Sequence, residues 1–542
     1  MDAFFEPSSL LVPSPVLANA DTALPLVNRS DNEPRRLSGD PALLAGSRAG
    51  LHALSSLLAK AIESTLSARR PCGPLPEGRA ADVLALTAAA LGPSELPTHG
   101  MGSEAALCLL ARVLTEQGLD LAHGRAAAHL QPPPLAVSVA ADTLASASNA
   151  SLDTYDSGPS AIAIERWLVI TLAQLAKLGP RADGVLTPGG SMSNLLGLLL
   201  ARDATALKRG VDARTNGISA LPEPIIFCSE LAHFSIHRAC AALGLGEKAV
   251  RPVPTDDRRR MRPSALVRML RELNPEQTPL AIVATAGTTD FGSIDPLPEL
   301  AELAAEHGIW LHIDAAYGFG ALFSEQLAPR LAGLERADSI TLDLHKLGWQ
   351  PAAASLLLVA DAAAFAALDR EVAYLNPSDD AAAGLDGLLG RSLQTTRRPD
   401  ALKVVVTLLA YGRDGLGDLV DRCHELARYA EHRIVDEPEL ELVSPAELTT
   451  VVFRYRCRWR PGDQGRLEDE VNAAARRQLL ESGFALIGRT AVRLSGPSSP
   501  TRVCLKFTLL NPSASIGDIE AMLQAVLQAG RDCELRAKEY IV

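Results

Sequence analysis

This chain of 542 residues has no Cys-x-x-Cys pair, no basic stretch leading into an apolar core at its N-terminus, and no apolar run long and uninterrupted enough to span a bilayer. Each absence excludes a class. The eight cysteines are scattered, several inside apolar runs such as Ile225-Ile226-Phe227-Cys228, and read as free core thiols in a reducing compartment rather than a disulfide or zinc framework. With neither secretory signal nor membrane span, the expected location is the cytoplasm, and no metal site is expected. Basic residues are the minority, 52 against 64 acidic, and a net charge of -12 repels DNA and acidic membranes on average. No short internal repeat is present, and the usual dinucleotide-binding and P-loop glycine spacings are both missing.

What is present suits a large globular protein. A hydrophobic content of 47% over this length allows two or three units. Residues 1–45, rich in Pro, Ser, Asn and Asp, are expected to be a flexible tail. Residues 46–135 read as an alanine-rich helical segment with a Pro/Gly break at Pro71 to Gly78. Residues 136–411 form the expected large unit, in which short apolar strands alternate with amphipathic helices. The candidate strands are Pro224 to Cys228, Leu280 to Ala284, Ile309 to Ile313, Ser339 to Leu342 and Ser355 to Val359. Between the second and third runs a helix, Pro296 to Gly308, with prolines in its first turn and a glycine stop. That alternation predicts an α/β layer on a mainly parallel sheet. Residues 412–542 are expected to be a smaller α+β unit, with strands at Val451 to Tyr455 and Val503 to Thr508 around a helix from Glu468 to Leu480.

Five stretches carry chemistry. Thr187-Pro188-Gly189-Gly190-Ser191-Met192-Ser193-Asn194 runs straight into an apolar helix. Its glycines allow close backbone approach and the helix start attracts a phosphate, although alone it reads also as a Gly-Ser cap. Asp314 follows an apolar strand, where α/β folds bind ligands, but a lone carboxylate there also serves as a helix cap or ion-pair partner. Asp343-Leu344-His345-Lys346 follows the next strand. An amine desolvated there beside a cation or pyridinium has a lowered pKa and forms a Schiff base readily. His233 follows the Phe227 strand, either as a satisfied core group or as a residue that stacks on a ring and moves a proton. Thr285-Ala286-Gly287-Thr288-Thr289 is a hydroxyl-rich turn beside the Asp314 strand. Arg397 and Arg398 form a pair of the kind that is usually solvated.

Taken in order, these motifs resemble the group II pyridoxal-phosphate-dependent amino-acid decarboxylases over roughly residues 95 to 530. The resemblance implies the aspartate-aminotransferase-type fold, also called fold type I, with the large unit binding pyridoxal 5'-phosphate, and a homodimer whose sites form at the subunit interface. It implies that Lys346 carries the cofactor and that Asp314 partners the pyridine nitrogen. Gly190, Ser191 and His345 then match phosphate positions, with Asp343 beside them. His233 matches the ring-stacking histidine, Thr289 a cofactor contact, and Ala316 a small residue against the ring. Tyr374, followed by the Asp/Ala/Gly-rich segment Pro377 to Gly390, matches a mobile-loop tyrosine that protonates the carbanion after carbon dioxide leaves. By composition alone it is an ordinary packed tyrosine.

Within the family the likeness is greatest to the diaminobutyrate and siderophore-lysine decarboxylases, through His129, Gln131, the stretch Asn149 to Asp156, Arg397 and Asn511-Pro512. His129, Gln131, Arg397 and Lys506 are the expected substrate contacts. Two departures stand out: Lys506 where glutamate and aromatic members carry an arginine, and Gly124 where a proline is usual. The expected reaction is decarboxylation of L-2,4-diaminobutyrate to 1,3-diaminopropane, a step of siderophore or polyamine synthesis. Lysine, ornithine, aromatic or glutamate decarboxylation, and a carbon-carbon lyase without decarboxylation, are the alternatives.

Overall fold

Strands that are covered on both faces read as unbroken apolar runs, and that is how the centre of this chain is written. The computed structural model describes residues 40–459, 464–494 and 499–541. Residues 1–39 of the expected tail lie outside the described residues.

Three helices come first, α1 (Arg48–Ser67), α2 (Ala80–Leu91) and α3 (Ser103–Gln117). The side chain of Ser47 caps α1 by accepting from the amide of Gly50 at 2.8 Å. A two-residue strand follows, β1 (Ala126–Ala127), then α4 (Ala136–Ser148) and α5 (Pro159–Leu175).

The central sheet has seven strands: β2 (Asp183–Thr187), β3 (Pro224–Ser229), β4 (Val250–Val253), β5 (Thr278–Thr285), β6 (Trp310–Asp314), β7 (Ser339–Asp343) and β8 (Ser355–Val359). Their order is β2-β8-β7-β6-β5-β3-β4, and only β8 runs against its two neighbours. The five expected strands are all present to within two residues. β2 and β4 escaped the sequence reading for local reasons: β2 begins with Asp183-Gly184, a turn-like pair, and β4 is a short edge strand interrupted by Pro252. Helix Leu297–His307 ends as expected, with Gly308 at φ 64°. Between β2 and β3 runs α6 (Gly190–Lys208), whose leucines pack with Ile226, Val283 and Leu357 of the sheet.

A second core lies under five strands ordered β1-β11-β12-β10-β9, where β9 is Leu440–Ser444, β10 Thr450–Tyr455, β11 Leu486–Arg493 and β12 Thr501–Thr508. Helices Gln464–Glu481 and Ile516–Ile541 cover it. β1 pairs in parallel with β11, so the segment expected to be purely helical lends a strand to the C-terminal sheet. The helix Ala401–Asp436 breaks at Gly412 (φ 65°), the first residue of the expected small unit. Leu416, Val420 and Cys423 nevertheless still pack in the first core, and the second begins at Leu426. Helical periodicity reports that one face is buried; it does not report in which core.

Candidate active site

Parallel strands β5, β6 and β7 end side by side, with Thr285 opposite Asp314 and Asp314 opposite Thr341. The N-terminus of α6 faces the same edge, so a cavity of about 400 Å³ opens where open α/β sheets bind ligands. All nine residues expected at the cofactor line it: Gly190, Ser191, His233, Thr289, Asp314, Ala316, Asp343, His345 and Lys346.

Lys346 sits three residues beyond Asp343, and its Nζ lies 2.9 Å from the Asp343 carboxylate. Asp343 is itself held by the Ser355 hydroxyl at 2.5 Å. The imidazole of His345 lies 3.6 Å from the same carboxylate, and burial pushes its pKa below the ordinary value. Asp314 is 5% exposed and accepts from the Ala316 amide at 3.1 Å and from the Asn194 side chain at 2.9 Å. His233 bonds Ser235 Oγ through Nδ1 at 2.8 Å, and burial, only partly opposed by Asp314, lowers its pKa.

These residues fit pyridoxal phosphate. No side chain caps α6, so the first-turn amides at Gly190 and Ser191 are left for an anion. A Cβ on Gly190 would lie 2.9 Å from Asp343 Oδ1 and 3.3 Å from the Ala316 Cβ, so only glycine leaves this floor open. A buried carboxylate for a ring nitrogen and an amine for a carbonyl complete the set.

The expected substrate residues lie elsewhere. His129 and Gln131 are exposed and do not line the cavity. Partial burial, then the cations Lys506 and Arg476, push the His129 imidazole below its ordinary pKa. Lys506 donates to Asp290 at 2.9 Å and to the Thr289 carbonyl at 3.4 Å, which ties it to the cavity rim. Tyr374 is 83% exposed and outside the lining. Arg397 departs from its expected place: its guanidinium is 6% exposed and donates to Glu165 at 2.7 Å and to the Leu186 carbonyl at 3.4 Å. A charge buried that deeply has to be paired, and α5 supplies the partner. Its neighbour Arg398 reaches the surface and meets Asp142 and Asp400 instead.

Several site residues had been given no role. Tyr317 lines the cavity and is buried, and its hydroxyl meets Thr449, just before β10, and Thr450, the first residue of β10, at 2.8 and 3.0 Å, which ties the cavity wall to the second core. Asp295 accepts from the amides of Met261 and Thr285 at 2.7 and 2.8 Å, holding the end of β5, and burial pushes its pKa up to about 6. Asn194 and His312 complete the floor under Asp314. A signal for His312 existed: it stands two residues before Asp314 on a strand, hence on the same face.

A mainly parallel sheet that ends in this lysine, carboxylate and anion cradle defines a pyridoxal-phosphate enzyme of fold type I. Residues 123–456 match the pyridoxal-dependent decarboxylase conserved domain, and the chain belongs to that family. It is 40% identical over 440 residues, 81% of this chain and 84% of the relative, to an L-2,4-diaminobutyrate decarboxylase of Rhizobium meliloti (strain 1021). Identity to the enzyme of the same name from Acinetobacter baumannii is 34% over 439 residues, 79% and 84% of the two chains. Among solved structures, the glutamate decarboxylase domain of a diaminobutyrate-pyruvate transaminase and L-2,4-diaminobutyrate decarboxylase from Vibrio parahaemolyticus superposes with a TM-score of 0.77 at 30% identity, covering 90% of this chain and 97% of that one. Mouse CSAD in its apo form gives 0.79 at 26%, over 89% and 99%. The protein is a pyridoxal-phosphate-dependent carboxy-lyase acting on an amino acid.

Proposed function

We propose that the substrate is L-2,4-diaminobutyrate, which loses its carboxylate as carbon dioxide and leaves as 1,3-diaminopropane. The observation that carries this is the pair of relatives named for that activity, at 40% and 34% identity over about four-fifths of the chain. Lys506, in place of an arginine, supports a pocket that differs from those of glutamate and aromatic members.

Bound pyridoxal phosphate supplies an electron sink for the bond that breaks at Cα. The chain's own residues do the rest. Lys346 would hold the cofactor through its amine, Asp314 would partner the ring nitrogen, and His233 would lie against the ring. The Gly190–Ser191 turn and His345 hold the phosphate. Lys506 would border the substrate from the cavity rim. Tyr374 gives a proton to Cα once carbon dioxide has left.

The working unit proposed is a homodimer in which the Tyr374 loop closes over a site, a reading with which the exposure of Tyr374, apart from the cavity of its own chain, is in keeping. Exposed apolar side chains are in keeping with this: Leu58, Ile62 and Leu66 on α1, Leu84 and Leu91 on α2, and Leu114 on α3 are each left in water by a single chain. Eight cysteines without a disulfide suit the cytoplasm.

The test is a panel: L-2,4-diaminobutyrate, lysine, ornithine, glutamate and an aromatic amino acid, each incubated with the cofactor-loaded protein. Carbon dioxide and 1,3-diaminopropane should appear from the first, and faster than any amine from the others. Absence of amine from L-2,4-diaminobutyrate, with release from another, would replace this substrate.

A further inference from the structure

Strands β11 and β12 and the loop after β5 build a charge pair at the mouth of the cavity. Lys506 of β12 stands opposite Gly488 of β11 in the antiparallel register. A Cβ on Gly488 would lie 3.1 Å from Lys506 Cε and 3.2 Å from its Cβ, so the missing side chain is what lets the lysine stem lie flat on the sheet. Its ammonium thereby reaches Asp290 Oδ1 at 2.9 Å. Thr490, two residues from Gly488 and so on the same face, donates its hydroxyl to the other oxygen, Oδ2, at 2.7 Å. Asp290 is also fixed from its own loop. The amides of Gly287 and Thr288 both donate to the Ser293 carbonyl, at 3.0 and 2.9 Å, and close the turn. On either side of Asp290, Thr289 lines the cavity and Phe291 is buried with Val452, Val492 and Cys504.

The two charges are unequally placed. The Lys506 side chain is 9% exposed and that of Asp290 39%. An ammonium buried that far requires a counter-charge, and among the described residues no second carboxylate lies within ion-pair distance of it. Its other acceptor is the carbonyl of Thr289 at 3.4 Å, which sets the positive charge directly behind a residue of the cavity lining. Salt screens charges only beyond about 8 Å, and buried ones less, so Lys506 without its partner would be felt inside the cavity. The sign of that field decides which side chains enter. A diamino acid brings a distal ammonium, which a bare lysine repels; an acidic amino acid brings a carboxylate, which it attracts.

We infer that Asp290 is a specificity-determining residue: by cancelling the charge of Lys506, without itself touching the substrate, it keeps the cavity open to an amino acid with a cationic side chain. Thr490 holds the carboxylate for this task and Gly488 clears the path of the lysine. The inference rests on the proposed diamino-acid substrate and deepens it. A pair that served only to satisfy a buried lysine would leave the choice between substrates indifferent to its charge.

Four forms of the cofactor-loaded enzyme test it. Wild type and the double variant Asp290→Asn/Lys506→Met are neutral at the pair, Asp290→Asn has a positive charge in excess and Lys506→Met a negative one. The readout is the KM for L-2,4-diaminobutyrate divided by the inhibition constant of L-2-aminobutyrate, which has the same α-carbon groups and no side-chain charge. Losses common to both molecules, at the cofactor or the α-carboxylate, cancel in that ratio. It should rise about 10-fold in Asp290→Asn, fall in Lys506→Met, and return to within about threefold of wild type in the double variant. One ratio for all four forms, or a double variant no closer to wild type than Asp290→Asn, would overturn the inference. If Asp290→Asn does not fold with its lysine stranded, Lys506→Met decides, and a ratio that is unchanged or higher there would overturn it. Should the amino-acid panel name glutamate as the substrate, that reading has failed by itself. The same ratio measured with glutamate, expected to fall in Asp290→Asn, then still judges Asp290, so the two readings fail separately.

Discussion

The floor and the rim of the cavity are built on opposite principles. On the floor, Asp314, Asp343, His312 and Asn194 are each less than a tenth exposed, and every one is held by a named partner from another element. Around and beyond the rim, Tyr374 and His129 are exposed and outside the lining, and only Lys506 is buried, tied to Asp290, which is itself partly exposed. A floor of this kind is preorganised and leaves little for binding to rearrange. The exposed residues around it are not fixed by burial in this way. The buried end of the sheet thus fixes its groups in place, and the surrounding segments carry the exposed ones.

The largest effect should come from removing the amine on the floor. Lys346→Ala is expected to lose all measurable turnover and the visible absorbance of the bound cofactor, while far-ultraviolet circular dichroism stays the same. Retained turnover would move the chemistry off this lysine.

Tyr374→Phe probes the rim in the same terms. If the tyrosine delivers the proton, kcat should fall about 10²- to 10⁴-fold, with cofactor affinity unchanged. Equal losses in both would show that the loop supports the floor, and the contrast between the two would be gone.

Arg397→Met tests whether that arginine belongs to the framework. It strands Glu165, whose pKa burial already pushes up against the pull of Arg397, and breaking such a buried pair costs about 3–5 kcal/mol. A lowered denaturation midpoint with KM unaltered is expected. A raised KM at full stability would return Arg397 to the substrate.

A smaller effect concerns pH. The folded-state pKa of His312 is depressed, from 6.5 to about 4, so its contribution is complete above 6.5 and is lost as pH falls through that window. The loss is on the order of 3 kcal/mol. Denaturation of wild type and His312→Gln, which cannot titrate there, should show wild type losing stability relative to the variant between pH 6.5 and 4. Asp295, raised to about 6, titrates in the opposite sense but is common to both proteins. Parallel curves would mean that His312 is charged or solvated.

Much of the floor was legible because strand and chemistry coincide in a few consecutive residues: Trp310 to Asp314 and Ser339 to Lys346 each carry the apolar run and the reactive group that ends it. The partners of those groups were not. Asn194 meets His312 across 118 residues, and Arg397 meets Glu165 across 232, through helix and strand faces whose mutual placement no local pattern records. β1 escaped for the same reason: two alanines have no strand signature until β11, some 360 residues on, offers them an edge.

By itself the sequence determined the order of strands and helices, the reactive groups at the strand ends and, through their motif, the family and its cofactor, because these follow from periodicity and from residues close together in the chain. Tertiary structure alone decided which buried charges neutralise one another and which residues stand outside the cavity. Burial and pairing depend on what packs from distant parts of the chain, and they exist only once the sheet has brought those parts together.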